Sequence, residues 1–300
     1  MKATAQPIAP AASVGKSRVA IFSDLIKARL TVLVLLTTLV GFYMAYPGAL
    51  DFTLLFNTML GTALLASGAA ALNQLIERDH DALMQRTEDR PLPGGYLQPS
   101  TVLILGGVSG ALGIIYLAVT VNLLTSLLGA VTLASYVFVY TPLKRVTTLN
   151  TIIGAIPGAL PPLMGWTAAR NSIGEGGWSL FAILFFWQLP HFLAIAWLYR
   201  EQYARAGFVM LPVVDPDGAR TGRQAVSHTL GLLPVSLGPV LFHLAGPVYL
   251  CGALILGVAF VVFAAQFSRR LTRESARRLF LFSILYLPVL LGLMVFDRIK

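Results

Sequence analysis

Three oxygen-bearing side chains recur at steps of four in the run Asn73-Gln-Leu-Ile-Glu77-Arg-Asp79-His-Asp81. At about 100° per helical residue they fall at about 0°, 40° and 80°, so one amide and two carboxylates form a stripe along one face of a helix. Asp79, at about 240°, points elsewhere. Five of the thirteen acids in the chain (Glu77, Asp79, Asp81, Glu88, Asp89) crowd into this segment. An oxygen-only set without cysteine suits a hard cation, and Mg²⁺ characteristically takes one or two carboxylates and shares its remaining positions with phosphate oxygens. Arg86 and Arg90, beside the Pro91-Leu-Pro93-Gly-Gly turn, place guanidinium groups next to the acids, where they can clamp diphosphate oxygens in pairs. The plain alternative is a solvated loop whose acids and arginines pair with one another.

Other polar groups stand out against an apolar background. Lys144 and Arg145 follow Tyr140-Thr-Pro142-Leu and by position alone are anchors at a membrane edge. Gln188 and His191 lie three apart inside an apolar run, so they must face protein or a cavity. Glu201 and Arg205 follow that run, and an acid there can complete a metal site or cap the loop.

These residues must be positioned by membrane helices. The chain has 300 residues, 56% hydrophobic and 12% charged, and a mean hydropathy of +0.75, against a charged share of about a quarter in soluble domains. Nine apolar stretches approach the length that crosses a hydrocarbon core of about 30 Å: 30–46, 52–76, 102–119, 123–140, 151–169, 178–199, 226–244, 248–267 and 279–296. Backbone polar groups in lipid must be satisfied internally, so an all-α, polytopic membrane protein of nine transmembrane helices is expected. With the N-terminus cytoplasmic, one face holds nineteen of the 22 Lys and Arg residues, and only Arg170, Arg298 and Lys300 fall outside it. The net charge of +9 is thus positive-inside bias, dispersed over several loops, and nucleic acid binding has no support. Residues 1–24 lack the apolar core of a secretory signal and read as a disordered cytoplasmic tail; 25–300 read as one transmembrane domain. The fifth stretch, with Gly154, Pro157, Gly158, Pro161, Pro162 and Gly165, is rich in helix breakers, which membranes tolerate where backbone packs on protein or lines a cavity. Cys251 stands alone, so no intrachain disulfide exists.

The segment from Asn73 through Asp81 to Arg86, Arg90 and Pro91 resembles the first metal motif of the UbiA-type intramembrane prenyltransferases. Tyr140-Thr-Pro-Leu-Lys144-Arg145, Gly158-Ala-Leu-Pro161-Pro162-Leu-Met-Gly165-Trp166, Trp187-Gln188-Leu-Pro190-His191-Phe192 and Tyr203-Ala-Arg205-Ala-Gly207 narrow the resemblance to the protoheme IX farnesyltransferase branch, from about Lys27 to the C-terminus. The repeated Asp motif usual after the sixth helix of quinone-type relatives is absent. The resemblance implies nine helices around a central cavity in a bacterial inner membrane, with the site toward the cytoplasm. It implies farnesyl diphosphate and haem B as substrates, Mg²⁺ as cofactor, and haem A synthase or a terminal oxidase as candidate partners. Asn73, Glu77 and Asp81 would hold the metal, with Glu201 a further candidate. Arg86, Arg90, Lys144, Arg145 and Arg205 would face the diphosphate, and His191 and Gln188 the haem. Two positions depart from the family pattern: the middle acid, commonly Asp, is Glu77, and the position before Tyr203, often acidic, is Gln202. The rival readings are a prenyltransferase acting on a quinone precursor and a non-catalytic haem-handling membrane protein.

If Asp81 belongs to a metal and diphosphate site, Asp81→Lys should abolish turnover while the chain still inserts. Membrane fractionation together with an activity assay checks this, and retained turnover would sink the assignment.

Overall fold

The computed structural model describes residues 16–299, and its regular structure is helical, with a lone antiparallel bridge between Ala245 and Arg298. The helices are α1 (Arg18–Leu25), α2 (Ala28–Ala45), α3 (Phe52–Asp81), α4 (Pro99–Thr120), α5 (Leu123–Ala134), α6 (Thr141–Leu143), α7 (Asn150–Arg170), α8 (Gly174–Leu198), α9 (Arg200–Arg205), α10 (Ala219–Val235), α11 (Gly238–Leu241), α12 (Pro247–Arg270) and α13 (Arg273–Phe296). A six-residue π-helical stretch, Ser135–Tyr140, joins α5 to α6. Starts are set by local chemistry: Asp51 accepts from the Leu54 N–H, Asn122 from the Thr125 N–H, and Thr272 and Ser275 form a reciprocal capping box.

Among the described residues, eight helical stretches are long and apolar enough to cross a membrane. The expected span 226–244 is the exception. It forms the 17-residue α10, whose first turns carry Arg220, Arg223 and His228, and then breaks before the four-residue α11. Pro234 and Pro239 withhold backbone donors there, and Gly238 lies between them, so one straight span does not form. The tail also differs from expectation. Residues 1–15 lie outside the described residues, but Ser17 caps an ordered α1 by accepting from Ala20, and the side chain of Gln74 on α3 donates to the carbonyls of Asp24 and Leu25.

At the centre stands α7, packed against α2, α5 and α8, with α3 and α4 flanking on one side and α10, α12 and α13 on the other. Its three internal prolines sit on a helix that is mostly buried in protein, where neighbouring groups can satisfy the freed backbone. Leu33, Ile104, Val108, Ile115 and Ile255 instead point outward, as a lipid-facing surface requires. The α2 and α7 backbones approach closely. A β-carbon on Gly41 would sit on the Pro162 carbonyl, and one on Gly165 would sit on the Thr38 carbonyl, so both glycines are needed for the two backbones to touch.

Gly41→Leu should therefore force the two helices apart and cost about 1–3 kcal/mol. Gly107→Ala, where nothing lies within 4 Å of the added carbon, should change little. Thermal unfolding in detergent compares them, and equal melting temperatures would refute the packing argument.

Candidate active site

At 30 residues, α3 is longer than the roughly 20 that cross a bilayer, and its last turns carry the stripe to the basic end of the bundle. Asn73, Glu77 and Asp81 are buried, at 0%, 3% and 2% exposure. Each meets a cation from a different segment. The Lys27 ammonium donates to Asn73 Oδ1 at 2.6 Å, Lys144 to Glu77 Oε1 at 2.7 Å, and the Arg90 guanidinium to Asp81 Oδ2 at 2.6 Å. Asn73 also donates to Thr141 Oγ1 at 3.0 Å. Asp79 is exposed and pairs with its neighbour Arg78, in accord with its place off the stripe.

Local backbone explains how these cations arrive. Lys27 sits between α1 and α2 in the left-handed region at φ 48°, an uncommon conformation for a residue with a β-carbon. Pro142 lacks the N–H that a regular helix would use, and the π-helical stretch absorbs the irregularity just before it. Its last residue, Tyr140, lies flat enough on Gly154 that a β-carbon there would strike the ring, and Lys144 Nζ rests 4.5 Å from the Tyr140 centroid. The Lys144 carbonyl accepts from the Val209 N–H at 2.7 Å, and Asn150 donates to the Val209 carbonyl at 2.9 Å, which ties the loop after α9 to the site. Thr87 Oγ1 donates to the Asp81 carbonyl at 2.8 Å and holds the loop that bears Arg90.

The arrangement encloses a cavity of about 260 Å³. Glu77, Asp81, Lys27, Arg86, Arg90 and Lys144 supply its polar lining, and Leu30, Phe192, Ile195, Phe208 and Met210 its apolar lining. Four cations face two carboxylates, so the lining carries an excess of positive charge. Burial, aided by the nearby Arg90 and Lys144 charges, pushes the Lys27 ammonium down to about 7. For Lys144 burial opposes the charged form as well, but the Glu77 carboxylate outweighs it and holds the ammonium above its usual value. Among the described residues no three His, Cys, Asp or Glu side chains gather into an all-protein metal cage. Two carboxylates, each with one oxygen engaged by its basic partner, fit a cation that shares its coordination with phosphate.

The remaining sequence candidates divide. Arg86 lines the cavity, donates to the Tyr203 hydroxyl at 3.3 Å and stacks over Tyr199. Arg145, Glu201 and Arg205 are exposed and lie outside the cavity lining. Gln188 and His191 part company: Gln188 donates to the Ala155 carbonyl of α7 at 2.7 Å, whereas His191 Nδ1 lies 2.7 Å from Ser283 Oγ of α13, between the rings of Trp187 and Phe280. Sequence reasoning missed Lys27, which had no role there beyond being one of the nineteen basic residues on the cytoplasmic face. The signal available was a lysine set three residues before the first apolar stretch, with apolar Ile26 and Ala28 on either side. Tyr203 and Phe208, which also line the cavity, lay within the quoted motif or one residue beyond it but drew no role.

Residues 34–286 match the UbiA prenyltransferase family. The protoheme IX farnesyltransferase of Solibacter usitatus is 46% identical over 286 residues, covering 92% of this chain and 98% of that one. The protoheme IX farnesyltransferase of Koribacter versatilis is 42% identical over 314 residues, covering 99% of each. Among solved structures, a digeranylgeranylglyceryl phosphate synthase superposes with a TM-score of 0.78 at 14% identity, over 93% of this chain and 98% of that one. A UbiA homolog from Archaeoglobus fulgidus bound to GPP and Mg²⁺ gives 0.64 at 15% identity, over 91% and 99%.

The Glu77–Lys144 pair, with side chains only 4% and 15% exposed, should behave as a coupled unit. Glu77→Gln or Lys144→Met alone should cost about 3–5 kcal/mol by stranding a buried charge, and the double variant should recover part of that loss. Unfolding of the purified variants in detergent measures the coupling, and strictly additive losses would mean that each charge finds another partner.

Proposed function

This chain belongs to the UbiA prenyltransferase family, and from that premise we propose that it transfers the farnesyl group of farnesyl diphosphate to a vinyl group of haem B, with addition of water, giving haem O and diphosphate. The observation that carries the reading is the convergence of Lys27, Arg90 and Lys144, from three separate segments, on one buried carboxylate stripe beside an apolar wall. Such a site is short of negative charge, and a diphosphate supplies it. The protein lies in a bacterial inner membrane with this cavity toward the cytoplasm, where the basic loops gather.

Glu77 and Asp81 would hold Mg²⁺ through the carboxylate oxygens that Lys144 and Arg90 leave free, with Asn73 joining them once Lys27 turns to the diphosphate. When bound, the ion neutralises charge on the departing diphosphate. The protein's own task is to fix cations where that charge develops: Lys27, Arg86, Arg90 and Lys144 stabilise the leaving group as the allylic carbon–oxygen bond breaks. The vinyl carbon of haem attacks the allylic cation. Water then adds to the resulting haem-side cation and loses a proton, which leaves the hydroxyl of the hydroxyethylfarnesyl group. Phe192, Ile195 and Phe208 give the isoprenoid an apolar surface. Arg145 and Arg205, exposed on the same face, attract the anionic substrates at longer range, and Glu201, exposed beside them, stays outside the metal set. His191, with Nδ1 engaged by Ser283, keeps Nε2 for an axial contact to haem iron, a role in which the hydrogen bond fixes the ring. Gln188, committed to α7, positions the helix that carries it. Haem O leaves for a haem A synthase or a terminal oxidase.

Purified protein incubated with haem B and farnesyl diphosphate, with Mg²⁺ or with EDTA, should give haem O by mass spectrometry only when Mg²⁺ is present. Lys27→Met should lower kcat by at least roughly tenfold, the worth of one charge-assisted hydrogen bond. Intact haem B from protein that binds both substrates would overturn the reading, and product from a hydroxybenzoate acceptor instead would move the chain to the quinone branch.

A further inference from the structure

A second cavity, of about 800 Å³, opens at the opposite end of the bundle from the carboxylate stripe. It lies between the loop after α2, the end of α7, the segment after α11 and the end of α13. This is the face that positive-inside bias leaves nearly bare of basic residues, yet Arg170 and Arg298 both line this one cavity. Both are held in place. Arg170 Nε donates to the Ala45 carbonyl at 2.6 Å, and Arg298 donates from Nη2 to the Tyr46 carbonyl. Arg298 also stacks 4.8 Å from the Tyr43 ring centroid. Its backbone is pinned by the bridge to Ala245, with the Gly246 N–H donating to the Asp297 carbonyl at 2.9 Å and the Ile299 N–H to the Leu244 carbonyl at 3.1 Å. His243, at a left-handed φ of 54°, completes the polar lining, and Met44, Phe242 and Ile299 add apolar surface.

Capping the end of α2 accounts for one donor of each guanidinium. Five N–H groups belong to each, and among the described residues no carboxylate pairs with either. Two fixed guanidinium forks beside apolar surface match a carboxylate or phosphate group carried by an amphiphile. We propose that this cavity binds the anionic head of an amphiphile at the membrane face opposite the diphosphate site. Two sources share that chemistry, the phosphate of an anionic phospholipid and the propionates of a haem.

The test uses the full-length protein in detergent. Native mass spectrometry with phosphatidylglycerol, and with uncharged diacylglycerol as control, is run on the wild type and on Arg170→Gln/Arg298→Gln. Phosphatidylglycerol binding should weaken at least roughly tenfold in the variant, the worth of one charged hydrogen bond, with diacylglycerol unchanged. In parallel, absorbance titration with haem B and with its propionate dimethyl ester separates the sources: a loss that falls on haem B alone assigns the site to propionates. Hydrogen exchange on the wild type needs no variant, and phosphatidylglycerol or haem B should protect 44–49 and 297–299. Wild-type and variant protein that bind all four probes alike, or no protection of those segments by either anionic probe, would overturn the proposal.

Discussion

Charge that cannot be left alone in a low-dielectric setting governs this structure. Glu77 and Asp81 are buried at the edge of a membrane helix, where an unpaired carboxylate would be prohibitively costly, and each is met within 2.7 Å by a cation from elsewhere in the chain. Among the described residues, the third cation, Lys27, hydrogen-bonds an amide rather than a carboxylate, and the Arg86 side chain a phenol. The cluster is therefore overbalanced toward positive charge, which a soluble surface would screen and a membrane edge does not. A polyanionic ligand resolves the imbalance.

The rest of the bundle can be understood as the scaffold that keeps this cluster together. Lys27, Lys144 and the α3 stripe come from segments far apart in sequence, and they meet only because α2 and α3 pack against the same central helices. The backbone contact at Gly41 and Gly165 brings α2 onto α7, and the seat that Gly154 provides for Tyr140 brings the end of the α5–α6 stretch onto α7 as well. Prolines that would break a soluble helix are accommodated in α7 because protein surrounds it on most sides.

The stripe was legible in the sequence because helical periodicity is a local property: four-residue steps fix a face whatever the tertiary structure. The same logic placed Asp79 off the site. Lys27 was not legible, because what brings it to Asn73 is a left-handed turn between two helices, and nothing in a run of apolar residues announces that turn. Arg145 looked equivalent to Lys144 in sequence, yet one residue of displacement along a helix end separates a buried contact from an exposed side chain. Gln188 and His191 share a helix and lie only about 60° apart around it, yet one reaches α7 and the other α13. The seventh span read as one apolar stretch because hydropathy averages over the prolines that divide it.

The π-helical stretch before α6 holds one more consequence. A wide turn of this kind contains one residue more than a regular helix would need to cover the same rise, so it sets the phase of everything after it. An insertion or deletion that this wide turn does not absorb would rotate Lys144 by about 100° away from Glu77. Along this stretch the count of residues matters as much as their identity. Over evolutionary time, insertions and deletions should be purged from it as strictly as replacements of Lys144 itself.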